Sequence, residues 1–339
     1  MNDAANDSKS ISVGSHQADA TFAAQESSLT KSHSASVPQT TTAGIFLVIV
    51  AAVLWSSNGF FTQTTLLDGW PRETRGAALV FWRACFALVL LLPLVRRPTW
   101  HRIMIPMTIC FVVMNWTYLT AIVNGSPANT IWLQNLAPAW VMIGAVLFFH
   151  ERAALRDWAM MVTCVMGVLF ILVMEFFYVS PSPQHRWWSP VLAIASGLSY
   201  AGVIVCVKAL RHHESAWLIA LNHMATAIIM LPIVWWSGVS FPSGSMWFLL
   251  AGIGMLQMGL PYLLFARGLR TTPSHLASLI TLLEPVLLPV WVHLTRLNDP
   301  TYVPPHWWTW VGAGFILIGL TIRYAWPTGK TTAAGEEPS

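Results

Sequence analysis

Charged residues are scarce in this chain. Asp, Glu, Lys and Arg together account for 9% of its 339 residues, whereas 55% are hydrophobic. Soluble globular domains carry ~25% charged residues, so the composition excludes an ordinary soluble protein. Strand-length segments of alternating polarity are also lacking, and a membrane β-barrel is therefore not expected. The chain is predicted to be an all-α polytopic membrane protein, because helices satisfy their own backbone groups in lipid.

Motifs of nucleotide hydrolysis and hydrolytic catalysis are missing as well. The sequence holds no GxxxxGK[ST] loop, "HHES" at 212–215 does not have the HExxH spacing, and "GLSY" at 197–200 is not a serine elbow. We therefore expect no enzymatic activity, no cofactor and no metal site. The cysteines show no CxxC spacing and are predicted to be small apolar residues of the spans, at Cys85, Cys110, Cys164 and Cys206.

What the sequence does contain is a series of long apolar runs. A helix of about 20 residues crosses the ~30 Å of hydrocarbon in a bilayer, at ~1.5 Å per residue. The polar ends, residues 1–42 and 327–339, are predicted to be disordered cytoplasmic tails. Ten windows reach the required length, at 44–64, 77–97, 102–123, 127–148, 157–177, 188–208, 215–236, 246–268, 274–294 and 306–326.

The basic residues predict the orientation of these spans. With a cytoplasmic N-terminus, 13 of the 18 Lys and Arg residues fall on the cytoplasmic side and four on the other side. The remaining one, Arg83, lies within the second span. Cytoplasmic loops carry an excess of Lys and Arg, so both termini are predicted to be cytoplasmic.

The ten spans divide into two similar halves of five. Spans four and nine align when Pro138 is placed on Pro285. Because five is an odd number, the second copy enters the membrane from the opposite side, and the repeats are predicted to be inverted. The first covers residues 43–177, the second 188–326, and 178–187 form an external loop. Other matches in the same order are Arg83 and Pro93 with Asn222 and Pro232, Trp158 and Gly167 with Trp310 and Gly319, and Trp55 with Tyr200.

Four stretches resemble a known family: "AAVLWSSNGFF" in span one, "FWRACFALVLLLP" in span two, "LAPAWVMIGAVLFFHER" in span four and "LLEPVLLPVWV" in span nine. They are similar to the EamA-like transporters of the drug/metabolite transporter superfamily, and the resemblance covers roughly residues 43–326. It implies a ten-helix carrier of the cell (inner) membrane, which often exports amino acids or other small organic metabolites.

Glu284 is a carboxylate within an otherwise apolar span. An acidic residue at the centre of a membrane helix costs about 2.5 to 3.5 kcal/mol, so it persists only if it is paired, protonated or facing water. Counting from residue 274, Glu284 lies ~15 Å deep, near the midplane. It either contacts the solute and couples transport to protons, or it hydrogen-bonds a neighbouring helix as a neutral acid. With Ser274, Ser278 and Thr281 it forms one polar helix face.

Other polar and aromatic residues of the spans are candidates for the same site. Each has an alternative: Arg83 can extend to the interface, the amides can join helices, and the aromatic residues can simply pack. His223 and His293 are predicted to be structural. Pro138 and Pro285 are expected to kink their helices and free carbonyl groups. The predicted solute-binding residues are Trp55, Asn58, Arg83, Asn115, Tyr118, Gln134, Tyr200, Asn222, Tyr262, Thr281 and Glu284.

These observations predict a secondary carrier of small organic metabolites that works by alternating access around a midplane site. The alternatives are a membrane-embedded enzyme acting on a lipid or isoprenoid substrate, and a scaffold or sensor that transports nothing. An enzyme needs paired acid and base groups, and a scaffold gains nothing obvious from an inverted duplication. The expected partners are a small-molecule solute and the lipid bilayer, with no nucleic acid. A homodimer is one state that such a chain can adopt.

Overall fold

The structure, a computed structural model, describes residues 42–149, 155–179, 186–210, 212–269, 271–272, 277, 280–296 and 304–325. The predicted tails apart from Thr42, residues 180–185 of the predicted external loop, and the polar positions Ser274 and Ser278 lie outside the described residues. Every regular element within the described residues is helical.

We number the helices in chain order and treat 246–268 as one helix. They are α1 (Thr42–Ser56), α2 (Asn58–Thr62), α3 (Arg72–Leu91), α4 (Met104–Asn124), α5 (Pro127–Gln134), α6 (Ala137–Phe149), α7 (Leu155–Tyr178), α8 (Ser189–Ala209), α9 (Ser215–Trp236), α10 (Met246–Gly268), α11 (Leu283–Arg296) and α12 (Trp307–Ala325).

The prediction of a helical membrane protein is confirmed. Seven helical segments of the described chain are long and apolar enough to cross a membrane, with α1 and α2 counted as one segment. Two shorter apolar helices, Leu283–Thr295 and Trp307–Ile322, lie in the ninth and tenth predicted spans. The fourth predicted span is divided between α5 and α6.

An apolar stripe on α7 shows which side of that helix is turned away from the bundle. Val162, Met166, Leu169 and Val173 follow one another at helical spacing, and each is at least half exposed. A soluble helix buries such a stripe, whereas lipid covers it at no cost. The stripe therefore fits a helix at the bilayer side of the bundle.

The second span begins at Arg72, five residues before the predicted 77. A search for apolar windows leaves out a first turn that carries charge. In the structure Pro71 directly precedes the helix, and the charge of Arg75 is balanced by Asp68 at 3.4 Å. The guanidinium of Arg75 also donates two hydrogen bonds to the carbonyl oxygen of Trp70, at 3.2 and 2.9 Å. These partners make a charged first turn stable.

A π-helical segment, Gly252–Gly259, widens the middle of α10. The sequence periodicity does not predict it. Here α10 passes very close to α3: a Cβ atom on Gly254 would lie 2.8 Å from the carbonyl oxygen of Arg83. π-Segments are rare in proteins and frequent at functional sites. This one brings α10 against the turn of α3 that carries the buried arginine.

The packing of the spans follows the internal duplication. Span two packs along span seven, and span five packs along span ten. Span one packs along span eight, and span three packs along span six. Span four contacts span six, and span nine contacts span one. If each span is replaced by its counterpart in the other half, so that one becomes six and six becomes one, this set of contacts stays the same. The two halves therefore use the same packing scheme.

Helices α7 and α12 cross at an unusually short distance, in antiparallel directions. A Cβ atom on Gly167 would lie 2.5 Å from the carbonyl oxygen of Gly312, and one on Gly319 would lie 2.9 Å from that of Met160. Small residues at helix interfaces let backbones approach closely in membranes, where dispersion contacts drive association. The glycines therefore make spans five and ten a tightly packed pair.

Replacing Gly312 with Ala is expected to destabilise the protein. The new Cβ atom would lie 2.4 Å from Cγ1 of Ile171 and 2.7 Å from the Gly167 carbonyl oxygen, so the two helices must separate. Overpacking of this kind costs about 1–3 kcal/mol, and we expect a fall of several degrees in the thermal midpoint measured in detergent. Gly314 is the matched control, because nothing lies within 4 Å of its added Cβ. Equal midpoints for G312A and G314A would contradict the close crossing.

The end of α3 is fastened to the start of α9. The carboxylate of Glu214 accepts hydrogen bonds from the backbone N–H groups of Arg96 and Arg97, at 3.0 and 2.7 Å. Nearby, the indole N–H of Trp217 donates to the carbonyl oxygen of Thr99 at 2.6 Å. We call this end of the bundle the Arg96 end.

At the opposite end of the bundle, the segment before α3 contacts the segment after α9. The indole N–H of Trp70 donates to the carbonyl oxygen of Ser240 at 3.0 Å, and Arg186 pairs with Glu73 at 2.9 Å. We call this the Trp70 end. The end of α3 lies beside the start of α9, and the start of α3 lies beside the end of α9, so the two helices are antiparallel.

Candidate functional site

Two broken helices lie at equivalent places in the two halves. Helix α5 ends at Gln134, residues 135–136 form a turn, and α6 begins at Ala137, directly before Pro138. In the second half, Leu282 is a turn residue and α11 begins at Leu283, two residues before Pro285. A proline lacks the N–H donor and clashes with the carbonyl four residues earlier, so it interrupts a helix at this position.

The first break is covered by a close contact from α8. A Cβ atom on Gly197 would lie 3.0 Å from the carbonyl oxygens of both Leu133 and Gln134. A side chain at this position would press against these carbonyls, so glycine favours the close contact. The end of α5 is thus packed against span six.

Arg83 places a guanidinium group inside the bundle. Its side chain is 3% exposed, and Nη2 donates a hydrogen bond to Oδ1 of Asn115 on α4. Asn115 Nδ2 in turn donates to the carbonyl oxygen of Phe111 at 2.8 Å, which fixes the amide with its oxygen toward the arginine. Among the described residues Arg83 forms no ion pair. The charge is held inside by a neutral partner and does not extend to the interface.

Glu284 lies in the first turn of α11, just after the second break. A carboxylate is favoured there by the positive end of the helix dipole, worth about 0.3–1 kcal/mol at exposed sites and up to ~2 kcal/mol at partly buried ones. The side chain is half-buried and forms no ion pair within the described chain. The break thus supplies a backbone feature that partly offsets the cost of a charge in lipid.

Two tyrosines connect these opposite charges. The phenol groups of Tyr118 on α4 and Tyr262 on α10 both lie within electrostatic range of Arg83 and of Glu284. Arg83 and Glu284 therefore face one polar region of the bundle without forming a salt bridge. An unpaired cation and an unpaired anion in one region can each bind a complementary group of a solute.

Aromatic rings form one side of this region. Trp55 of α1 contacts the edge of Tyr262 at a centroid distance of 5.1 Å and lies 5.2 Å from Phe265. The Trp55 carbonyl oxygen accepts a hydrogen bond from Gln257 in the π-segment at 3.3 Å. Half-buried Trp and Tyr rings offer a flat apolar surface together with polar edges, which suits an organic solute.

Several buried polar groups of the bundle have donor or acceptor atoms that are not used in hydrogen bonds within the described residues. Within the described residues no partner is found for Oδ1 of Asn222 or the two ring nitrogens of His223, whereas the hydroxyl of Tyr118 and the side-chain amide of Asn58 interact with each other. Each such group costs about 1–3 kcal/mol if it stays unsatisfied. His223 is 1% exposed and packs on the edge of Phe111, the residue whose carbonyl orients Asn115. These groups are available to a bound solute.

Gln134 and Tyr200 do not join this region. Gln134 Nε2 donates to Oγ of Ser196 at 2.7 Å, and this hydroxyl donates to the Met114 carbonyl oxygen, so the amide joins spans three, four and six. Tyr200 is 38% exposed on α8. Thr281 is half-buried in the turn that precedes the second break.

Three polar residues were not predicted from the sequence as site residues. His223 was assigned a structural role, and its lack of partners is visible only in three dimensions. Gln257 lies in the π-segment, which changes the direction of its side chain. Glu175 lies near the end of a span, where a charged residue usually reaches the interface, but here it hydrogen-bonds Asn129 of α5. Among the described residues no three His, Cys, Asp or Glu side chains are grouped so as to hold a metal ion.

Comparison with known proteins agrees with this architecture. The sequence profile of a family described as the EamA-like transporter family matches residues 42–173 and again residues 187–324. A solved crystal structure shares the fold at a TM-score of 0.55 and 16% sequence identity, covering 83% of this chain and 96% of the other.

Curated relatives carry transporter names at low identity. The uncharacterized transporter YxxF of Bacillus subtilis is 24% identical over 86% of this chain and 93% of its own length. The pseudopaline exporter CntI of Pseudomonas aeruginosa is 25% identical over 63% of this chain and 74% of its own. A riboflavin transporter of Rhizobium johnstonii is 24% identical over 64% of this chain and 72% of its own.

Proposed function

The chain belongs to the EamA-like transporter family, and from this premise we propose that it is a secondary carrier of small organic solutes that bear a carboxylate, such as amino acids. The names of its relatives indicate a transporter and not an enzyme. One observation carries the choice of solute: Arg83 and Glu284 face one polar region and remain unpaired with each other.

The proposed binding mode follows from the groups on each side of that region. The guanidinium of Arg83, oriented by Asn115, receives the carboxylate of the solute. Glu284 and the phenols of Tyr118 and Tyr262 receive an ammonium or another donor group. Trp55 covers the apolar part, and Asn58 and Asn222 supply further hydrogen bonds.

The transport cycle is proposed to be alternating access around this site. Each half contributes a broken helix and part of the binding groups, so motion of one half against the other exposes the site to either side. The antiparallel directions of span two against span seven and of span five against span ten support inverted repeats. We propose ten spans in all, with α5 and α6 together as the fourth.

The orientation proposed from the basic residues puts the Arg96 end in the cytoplasm and the Trp70 end outside, in the cell (inner) membrane. Export is the proposed direction, and one relative is named as an exporter. The two repeats are proposed to cover 43–177 and 188–326, with 178–187 as an external connection and cytoplasmic tails. Proton coupling is assigned to Glu284, because a carboxyl group at this depth can be charged in one state and neutral in another.

A transport screen tests the proposal. The full-length protein is reconstituted in liposomes loaded with a mixture of amino acids, dipeptides, nucleosides and organic cations, and the compounds released are measured by mass spectrometry. We expect faster release of at least one solute that bears a carboxylate, and no acceleration for its amide analogue. Liposomes without protein serve as the control. Release limited to solutes without a carboxylate would contradict the proposed binding mode, and no release of any compound would count against a carrier.

A further inference from the structure

A second polar site lies at the Trp70 end of the bundle, apart from Arg83 and Glu284. A cavity of about 40 Å³ is enclosed by the start of α5, the end of α7, the middle of α11 and the start of α12. Four prolines, two valines and an alanine form the apolar part of its wall. Its polar lining consists of Ser126, Asn129, Glu175, His306 and Thr309.

A hydrogen-bonded chain fixes the directions of three groups in this lining, those of Thr309, Asn129 and Glu175. The hydroxyl of Thr309 donates to Oδ1 of Asn129 at 2.8 Å, and Nδ2 of Asn129 donates to Oε2 of Glu175. The amide is thereby fixed with its nitrogen toward the carboxylate. Asn129 and Thr309 are 5% and 2% exposed, so the chain is built into the protein interior. The Asn129 amide is thus the neutral donor that is directed at the Glu175 carboxylate.

No ion pair balances the charge of Glu175 in the part of the chain that the structure describes. The other carboxylates described at this end do form ion pairs, Asp68 with Arg75 and Glu73 with Arg186. Helix α5 has no titratable side chain, and His306, directly before α12, lines the cavity. Helix α11 carries Glu284 in its first turn and His293 and Arg296 in its last turn.

The size and chemistry of the cavity decide what can balance the charge. A cavity needs about 10–15 Å³ of such volume for one water molecule, so this one holds a few waters or one ion with water. Its polar groups are one carboxylate, the neutral oxygens of Ser126, Asn129 and Thr309, the Asn129 amide nitrogen and the imidazole of His306. The carboxylate and the oxygens suit a hard cation of a single positive charge. A divalent ion would leave a net positive charge in an apolar wall. The site joins two spans of each half, through α5 and α7 and through α11 and α12.

We propose that the Glu175 cavity is a binding site for a monovalent cation, Na⁺ or H⁺, which neutralises this carboxylate. The bound cation links spans four, five, nine and ten at the Trp70 end and stabilises their contact. The site is distinct from the solute site and from the proton coupling assigned to Glu284. It does not depend on the identity of the solute.

Thermal stability of the full-length protein in detergent tests the site without any solute. The midpoint is measured with NaCl against choline chloride at constant ionic strength, and separately at pH 6 and pH 8 without sodium. Ligand that binds only the folded state raises the midpoint, and we expect a rise of about 2–4 °C for the wild type in one of the two comparisons. Sodium dependence identifies Na⁺ as the cation, and a rise confined to low pH identifies the proton.

Three variants assign the effect to the cavity. Glu175→Gln removes the charge at constant shape and is expected to abolish the shift, whereas Glu73→Gln, at an exposed carboxylate of the same end, keeps it. If E175Q does not fold, Thr309→Val serves instead, because it releases Asn129 without removing the carboxylate and is expected to reduce the shift. A wild type that responds to neither cation, or E175Q and E73Q that respond alike, would overturn the proposal.

Discussion

Replacing Arg83 with Met is expected to lower the rate of solute transport by about 100-fold or more. The guanidinium is buried beside a neutral amide, so it interacts strongly with a carboxylate that enters the region. Losing one partner of a desolvated, hydrogen-bonded charge pair costs about 2–5 kcal/mol, which corresponds to a factor of roughly 30 to several thousand. Initial rates in proteoliposomes, with the carboxylate-bearing solute found in the screen, measure this effect.

Arg83→Lys and Arg97→Met complete the experiment. Lysine keeps the charge but lacks the planar fork, so R83K is expected to recover only part of the rate. Arg97 is exposed and contributes its backbone N–H, not its side chain, to the contact with Glu214, so R97M is expected to transport normally. The binding mode is wrong if R83M transports the carboxylate solute at the rate of R97M.

Replacing Glu284 with Gln is expected to uncouple transport from protons. The neutral amide has the shape of a protonated carboxyl group, but it cannot release a proton. We therefore expect E284Q to exchange labelled for unlabelled solute at saturating concentration, with a higher KM because the charge that receives the ammonium group is lost, while accumulation driven by a pH gradient falls about tenfold or more. The carboxylate lies in the first turn of α11, directly after the second break.

The comparison of exchange with gradient-driven uptake separates coupling from a structural role. A residue that only supports packing would lower both rates together. Glu73→Gln changes an exposed carboxylate at the Trp70 end and is expected to alter neither rate. Gradient-driven accumulation by E284Q at the wild-type level would exclude Glu284 as the coupling group.

The helices and their order could be predicted because lipid demands long apolar segments. The seventh predicted span, 215–236, agrees with α9 at both ends. The second begins earlier than predicted, because Asp68 and Trp70 satisfy the charge of Arg75. A search for apolar windows uses the composition of the span alone. Whether a charged turn is part of the helix depends on partners of its charge that lie outside the span.

The members of the candidate site could be selected from the sequence because a polar side chain within an apolar span is costly and therefore conspicuous. Arg83, Asn115, Tyr118, Tyr262 and Glu284 were selected for this reason, and the structure brings them around one region. Gln134 was selected on the same ground, but Ser196 of another helix satisfies its amide. Which buried polar group has a partner is decided by contacts between distant spans, and the sequence of a single span does not contain that information.

The π-segment of α10 determines which way the second half of that helix faces. Each residue of an α-helix turns the chain by about 100°, so an added or missing residue rotates everything that follows. Tyr262 comes after Gly252–Gly259 and touches Trp55, whereas Leu250 comes before it. If the same number of residues were wound as an ordinary α-helix, Tyr262 would be rotated by about 100° or more away from the tryptophan. The contact between these two rings is therefore set by how the backbone of α10 is wound and not by the rings alone.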